Sequence, residues 1–335
     1  MGIRILKAGL MTTIQDLGRI GYQSQGFSVA GAMDVRSFKI ANLLVDNPEN
    51  EPVLEFTLIG PTLEFTEDTI AAITGGNFNP TLNGEPAAMY TALYIHKGDV
   101  LRFGSAVSGS RGYLSFSGYL QAPTVMGSRC TNMTGRIGGF KGRKLQNDDY
   151  IRFRIKRRYL PYFLSHTLPP EDFSREKVTL RVIMGPQDSC FTREGIRTFL
   201  NSDYTVTGDF DRMGCRLEGP YIASGHGTDI ISDGTAFGSI QVPSHGRPII
   251  LLSDRQTTGG YAKIACVASV DLPQLVQCKP GHRIRFKAVT VQEAQKLYLE
   301  ELKELDAMRR TVHQPCREVL ECRLTAKRIR SLLEE

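Results

Sequence analysis

Short runs of apolar and β-branched residues recur along the 335-residue chain, separated by turn signals rich in Gly, Pro, Asn and Asp. Most runs are about four to eight residues long and enriched in Val, Ile, Thr, Tyr or Phe, which is typical of strands. The pair Asn83-Gly84 predicts a two-residue hairpin turn. The predicted strands span residues 53–58, 62–65, 69–74, 112–117, 149–154, 178–184, 238–242, 248–253, 262–268 and 283–286.

Helical periodicity is limited to a few stretches. Residues 34–45 carry apolar side chains at helical spacing and stop at Asn47-Pro48, and residues 192–200 form a second candidate. The strongest pattern is 290–308, where Thr290 and Glu293 form a capping box and one face is apolar. This last helix either packs on its own domain, which we favour, or serves as a docking face. Because helices do not alternate with strands, we expect a mainly β fold, closed or sandwiched.

The length of the chain fits two domains. A weak internal repeat supports this division, because residues 97–103 resemble 279–286 and residues 58–61 resemble 216–220. Two copies so far apart indicate two domains of one fold rather than a solenoid. The prolines near residues 160–170 suggest the boundary. We therefore predict a first β domain at 1–165, a second at 166–290, and a C-terminal helix and tail at 291–335.

Composition and charge argue against several classes of function. The net charge is +6, but the basic clusters at 152–158 and 327–330 form no stripe with stacking aromatics, so we expect no nucleic-acid binding. No apolar run approaches about 18 residues, so no membrane span is expected. Seven cysteines without CxxC spacing or a secretory signal predict reduced thiols and a cytoplasmic protein. The six histidines lack HxH and HExxH spacing, and no metal site is predicted.

Candidate chemistry is concentrated in polar segments punctuated by glycine, and the densest is residues 253–261. Arg255 can hold a carboxylate through two parallel hydrogen bonds. Asp254 could orient that guanidinium or act as a base. Close-range donors follow in the same segment, because glycine lets the backbone approach a ligand: Thr257, Thr258, Gly259, Gly260 and Tyr261. The alternative is that Asp254 and Arg255 pair at a strand end and TTGGY is only a tight turn.

A second polar segment, residues 12–19, has the same ingredients in Gln15, Asp16 and Arg19. Its alternative interpretation is an N-cap and turn before a helix. The two segments could converge on one cleft between the domains, where ligand sites are common. Three further residues complete the candidate site: Asn77, Arg129 and Gln241. For Asn77 a tight turn, and for Arg129 a loop salt bridge, are the competing interpretations.

These segments also carry a family resemblance. The motifs are TTIQDLGRIGYQSQG, VAGAMD, LEFTLIGPTLEF, GSRCT, MGPQ, DRMGCRLEGP, SDGTAFGSIQVPSHGRPIILLSDRQTTGGYAKIA and KPGHRIRF. Together they resemble the family of 5-oxoprolinase C subunits, also called biotin-dependent carboxyltransferase or allophanate hydrolase subunit 2. The resemblance runs from about Ile3 to Ala294, so the tail from about Asp306 lies outside it.

The resemblance implies two cyclophilin-like β-barrel domains with few helices. It also implies partners, the A and B subunits of 5-oxoprolinase, which together with this chain would open 5-oxo-L-proline to L-glutamate with ATP hydrolysis. Because no P-loop is present, ATP would be handled mainly by the partners. A similar region of urea amidolyase transfers a carboxyl group from carboxybiotin to urea, and here biotin would have to arrive on another protein. A third branch resembles a regulator that counteracts an inhibitor of a sporulation kinase.

In the enzymatic readings, an amide or urea carbonyl must be activated while fixed donors meet the developing oxygen charge. Residue chemistry and the family motifs together assign Arg255 as carboxylate clamp and Asp254 or Asp16 as base or orienting group. Thr257, Thr258 and Gly259 would be oxyanion donors. The remaining candidates would bind the substrate: Gln15, Arg19, Asn77, Arg129, Gln241, Gly260 and Tyr261.

Overall fold

The computed structural model describes residues 1–315, and this part of the chain is mainly β structure with four α-helices. The prediction of a mainly β fold with few helices and a C-terminal helix is confirmed. The strands form two groups, which we call the first unit (residues 2–152) and the second unit (residues 177–288).

The first unit consists of two sheets that pack over one core. One sheet has the order β11-β1-β4-β9-β6-β7 and the other β2-β3-β10-β5-β8. Alternation along the strands creates the core, since Ile3 and Ile5 are buried while Arg4 between them is exposed. Strands β1–β11 are, in order, Gly2–Lys7, Met11–Gln15, Val53–Thr57, Thr62–Phe65, Thr69–Asn77, Thr81–Leu82, Glu85–Pro86, Ala92–Ile95, Val100–Arg102, Ser108–Phe116 and Tyr150–Arg152.

The second unit is a closed seven-stranded barrel with the order β12-β19-β16-β17-β14-β13-β20. Two further strands, β15 and β18, pair only with each other and form a ribbon beside the barrel. Strands β12–β20 are, in order, Lys177–Met184, Asp203–Phe210, Gly214–Glu218, Asp229–Gly234, Ser239–Gln241, Ile249–Leu251, Thr258–Tyr261, Lys263–Val267 and Arg283–Ala288.

The three predicted helices are present. Helix α1 (Val35–Leu44) begins after Asp34, whose carboxylate accepts a hydrogen bond from the Ser37 amide at 2.9 Å. Helix α2 (Arg193–Asn201) is capped by Thr192, and α4 (Val291–Val312) begins with the predicted capping box. A short helix that the sequence did not indicate, α3 (Leu272–Val276), lies between them.

Helix α4 packs across both units, contacting β12 of the second and α1 of the first, whereas the favoured prediction placed it on its own domain. Leu305 and Met308 pack on the cluster that includes Ile40 of α1. Arg36 of α1 forms ion pairs with two glutamates of α4, Glu301 and Glu304, at 3.7 and 3.1 Å. The predicted tail beyond residue 315 lies outside the described residues.

Two polar segments have structures that differ from those expected of turns. Residues 11–15 form strand β2, which pairs with β3, and no helix follows directly. Residues 258–261 form strand β18. The internal repeat corresponds to a shared turn, because Gly98 and Gly281 have φ values of 93° and 92° and precede β9 and β20. That left-handed conformation favours glycine.

The side chain of Gln277 is one of several that fasten the two units together. The Gln277 amide oxygen accepts hydrogen bonds from the backbone amides of Ser110 and Arg111, each at 2.9 Å. Its amide nitrogen donates to the Asp34 carboxylate and to the Arg111 carbonyl, also at 2.9 Å. These four bonds use the full capacity of the amide group, which fixes the orientation of the units at this point.

Candidate functional site

A cavity of about 610 Å³ lies between the outer face of the barrel and the β15–β18 ribbon. Residues alternate across the barrel wall, so Ile250 is in the barrel core while Ile249 and Leu251 face the cavity. Phe210 and Met213 extend the apolar part of the lining. The polar part includes Arg255, Gln241, Thr258, Gly259 and Tyr261, five of the residues predicted from the sequence.

Arg255 is a buried cation without a counter-ion. Its side chain is 7% exposed, and it forms no ion pair with any carboxylate of residues 1–315. Its guanidinium donates from Nε to the Thr235 carbonyl at 3.3 Å and from Nη1 to the Leu252 carbonyl at 3.2 Å. Burial lowers the pKa of Arg255, but a guanidinium remains charged in proteins. The cavity wall therefore carries a positive charge that an anionic ligand would neutralise.

Asp254 does not orient Arg255, contrary to the expectation from their adjacency. Its carboxylate instead accepts two hydrogen bonds from Arg212, one from Nε and one from Nη2, each at 3.0 Å. The alternative of an Asp254–Arg255 ion pair is wrong for the same reason. Asp254 does not line the cavity, and its role as a base stays a prediction.

The predicted oxyanion donors lie in or next to the ribbon. Thr258 and Gly259 pair with Gly234 and Asp233 of β15, and the Thr257 carbonyl accepts a hydrogen bond from an amide of the chain. Neither Gly259 nor Gly260 has a positive φ. Gly259 is required by close approach instead, because a Cβ there would lie 2.4 Å from Nε2 of Gln241.

The second polar segment is buried and already bonded. Gln15, Asp16 and Arg19 are at most 2% exposed. The Asp16 carboxylate accepts hydrogen bonds from the Ser128 hydroxyl at 2.7 Å and the Arg129 amide at 2.6 Å. These contacts join β2 to the 125–131 loop, so the segment holds that loop in place.

Arg19 and Gln15 make the same connection. Arg19 donates from Nε to the Val125 carbonyl at 3.1 Å and from Nη2 to the Cys130 carbonyl at 3.2 Å. Gln15 donates to the Thr131 carbonyl at 3.3 Å. All of these acceptors belong to one loop of the first unit, so these side chains support that loop rather than the cavity.

The expected single cleft is therefore not formed by the two segments. Residues 30–32 run between them: the Ala32 amide donates to the Asp16 carbonyl at 2.8 Å, and the Ala30 amide donates to the Ser253 carbonyl at 3.1 Å. The segments are joined through this backbone, but of the two only the 253–261 segment lines the 610 Å³ cavity.

Asn77 and Arg129 lie elsewhere in the first unit. Asn77 lines a separate cavity of about 620 Å³, together with Ser108 and Glu171. Its side-chain oxygen accepts a hydrogen bond from the Asn79 amide at 2.8 Å, the pattern of a turn. The Arg129 guanidinium lies 3.7 Å from the Glu51 carboxylate, as the salt-bridge interpretation has it.

Comparison with known proteins places this fold in a family. Residues 25–288 match the family model described as carboxyltransferase domain, subdomain A and B. The chain belongs to the carboxyltransferase domain family. It is 35% identical to the C subunit of 5-oxoprolinase from Haemophilus influenzae, over 93% of this chain and 99% of that protein. It is 33% identical to the C subunit of 5-oxoprolinase from Escherichia coli, over 90% and 97% respectively.

Solved structures agree with this assignment. The urea amidolyase of K. lactis superimposes with a TM-score of 0.84 at 29% identity, covering 92% of this chain and 20% of that one. The Kluyveromyces lactis urea carboxylase gives a TM-score of 0.85 at 28% identity, covering 95% and 30%. This chain thus spans about a fifth of the first protein and under a third of the second.

Two residues of the site in this carboxyltransferase-family chain were missed in the sequence, one that lines the cavity and one that lies outside its lining. Phe210 lines the cavity and is backed by the buried Arg111 guanidinium, 4.8 Å from the ring centroid. Arg212 lies in the turn between β13 and β14 and holds Asp254. The only available signal was the DRMG motif, because both flanking strands went unrecognised and their turn could not be placed.

Within residues 1–315 no group of three His, Cys, Asp or Glu side chains could hold a metal ion. None of the helices described there is long and apolar enough to cross a membrane. Five cysteines of this region are free thiols: Cys130, Cys190, Cys215, Cys266 and Cys278.

Proposed function

We propose that this chain is the C subunit of an ATP-dependent 5-oxoprolinase, which binds 5-oxo-L-proline by its carboxylate and contributes to opening the ring to L-glutamate. One observation carries the proposal: Arg255 is buried at a cavity wall and has no carboxylate partner in residues 1–315. The two relatives named as C subunits of 5-oxoprolinase, which this chain matches over nearly their full length, support it.

The lining of the cavity suits a small ring with a carboxylate. A guanidinium can bind the carboxylate through two charge-assisted hydrogen bonds. The apolar side chains of Phe210, Ile249 and Leu251 would contact the ring carbons. Attack on the lactam carbonyl develops charge on its oxygen, and nearby fixed donors are the usual means of stabilising it. We retain Thr258 and Gly259, which line the cavity, for that role, but not Thr257, which does not line it.

The two aspartates that the sequence offers as the proton acceptor are poorly placed for that role. Asp254 and Asp16 both accept hydrogen bonds from donors of the chain, and neither lines the cavity. The acids that do line it are Asp209 and Asp211. We therefore propose that the base comes from one of these two or from a partner protein.

We assign ATP to the partner A and B subunits, because the sequence contains no P-loop. Biotin enters only if another protein supplies it. The free thiols of residues 1–315 fit a reducing compartment, and we propose the cytoplasm.

The test is to co-express the chain with the A and B subunits and measure glutamate formed from 5-oxo-L-proline and ATP. We expect ATP-dependent glutamate release from the complex and none from this chain alone. A matched ligand, 2-pyrrolidinone, has the same lactam ring without the carboxylate, and we expect it to bind far more weakly. A complex that assembles but yields neither glutamate nor ATP hydrolysis would refute the proposal.

Carboxyl transfer to urea is the second candidate, favoured by the structural similarity to urea amidolyase and urea carboxylase. Urea itself has no carboxylate and no apolar face, so in this reaction the anion at Arg255 would be the carboxylate of carboxybiotin. The same complex supplied with carboxybiotin and urea tests this reaction. Binding to a protein resembling the 5-oxoprolinase B subunit, without either product, would point to the regulatory alternative.

A further inference from the structure

Beside the anion site lies a buried charged cluster that crosses from one unit to the other. We propose that Arg212 is a positioning residue that fixes Arg255 for carboxylate binding, and that Glu55 of the first unit holds Arg212 in turn. The inference rests on the proposed function, since it concerns the same site. It follows that the position of Arg255 in the second unit depends on the docking of the first unit.

The contacts of Arg212 use each nitrogen of its guanidinium. Nε and Nη2 bind the two oxygens of Asp254. Nη1 donates to the Glu55 carboxylate, and Nη2 also donates to the Gly31 carbonyl at 2.6 Å. One side chain therefore joins strand β3, the 30–32 segment and the loop that carries Arg255.

The cluster is shielded from water, and the attraction between the Arg212 guanidinium and its two carboxylates is strong. Arg212, Glu55 and Asp254 are all under 9% exposed. Burial alone would lower the pKa of Arg212, but the two carboxylates outweigh it and raise that pKa above its ordinary value. Glu55 is held in its own unit by the Tyr113 hydroxyl and the Met33 amide, each at 2.8 Å. The Arg212 guanidinium therefore bonds to a carboxylate, that of Glu55, which is itself held in place.

The backbone transmits this anchoring to the cavity. The Asp254 amide donates to the Arg212 carbonyl at 2.8 Å, and the Leu252 amide donates to the Met213 carbonyl at 2.9 Å. Leu252 also supplies the carbonyl that accepts from Arg255 Nη1. Met213 lines the cavity beside this loop. Arg212 thus sets the relative positions of two cavity walls, one of which carries the guanidinium that would bind the carboxylate.

The test is Arg212→Lys, with Arg181→Lys as the matched control. Arg181 also binds a buried aspartate, Asp271, through Nε and Nη2, but it lies away from the cavity. Lysine keeps the charge and loses the planar fork in both variants. Two quantities are measured on the full-length chain: the dissociation constant for 5-oxo-L-proline by calorimetry, and the NMR signal of the Arg255 Nε–H, which is hydrogen-bonded to Thr235.

We expect Arg212→Lys to shift the Arg255 signal and to weaken binding by about tenfold or more, because small misplacements of a binding group have large effects. Arg181→Lys should leave both unchanged while lowering the unfolding midpoint. If Arg212→Lys lowers only the midpoint, its role is merely structural and the inference is overturned. If the wild-type chain binds no 5-oxo-L-proline, the proposed substrate fails, and the Arg255 signal still decides the role of Arg212.

Should Arg212→Lys fail to fold, Glu55→Gln supplies the same test from the first unit. It preserves the shape of the side chain and removes the charge that holds Arg212. A shift of the Arg255 signal in this variant supports the inference, because Glu55 does not line the cavity. An unchanged signal together with unchanged affinity contradicts it.

Discussion

Replacing Arg255 with methionine separates ligand binding from stability. The change removes two hydrogen bonds to backbone carbonyls, each worth about 1.5–3 kcal/mol when the donor is charged. It also removes a buried charge that has no counter-ion in residues 1–315, whose desolvation costs several kcal/mol. These effects oppose each other, so we expect the free energy of unfolding to change by less than about 2 kcal/mol.

Ligand binding has no such compensation. Removing one partner of a buried, hydrogen-bonded charge pair costs about 2–5 kcal/mol, which corresponds to roughly a 30- to 4,000-fold loss of affinity. Calorimetric titration of 5-oxo-L-proline into wild type and Arg255→Met measures it, and urea unfolding measures stability.

Arg216→Met is the internal control for that experiment. Arg216 lines the same cavity, but its side chain is 57% exposed and lies 3.9 Å from the Asp209 carboxylate. Solvent screens such a charge, so we expect affinity to fall by no more than about threefold. The clamp hypothesis is refuted if Arg255→Met binds 5-oxo-L-proline as tightly as this control does.

Two further predictions concern the β15–β18 ribbon and the stability of the protein at low pH. Gly259→Ala should displace Gln241 and impair 5-oxo-L-proline binding. Gly260→Ala should bind like wild type, because its added Cβ would meet its nearest atom at 3.6 Å. Equal titration curves for the two variants would contradict the close-approach argument. Asp149 is buried enough to raise its pKa, but hydrogen bonds from Arg143 at 2.7 and 2.8 Å and from a backbone amide lower that pKa overall. Its stabilising contribution is therefore present above about pH 4 and lost as the pH falls through the lowered pKa. Asp149→Asn should make urea stability fall less steeply below about pH 4, and parallel wild-type and variant curves would exclude this carboxylate as a cause.

The candidate site was only partly accessible from the sequence. Residue chemistry identified Arg255 and Gln241, which both line the cavity, because both types and their glycine-rich surroundings are local properties of the chain. It could not identify the partner of Asp254, since the neighbouring Arg255 is the obvious choice and the actual one, Arg212, is 42 residues upstream. The Asp16 carboxylate likewise binds Ser128, 112 residues away.

Local pattern by itself determined ten of the strands, three helices, the capping box of the last one and the Asn83-Gly84 hairpin, because periodicity, capping and turn geometry depend on neighbours in the chain. Tertiary structure alone decided that residues 11–15 and 258–261 are strands, since a polar, glycine-rich segment becomes a strand only when a distant strand supplies its hydrogen bonds. It also decided which charges are neutralised and which remain free, because burial removes water and leaves each buried ion dependent on the partners that the fold brings to it.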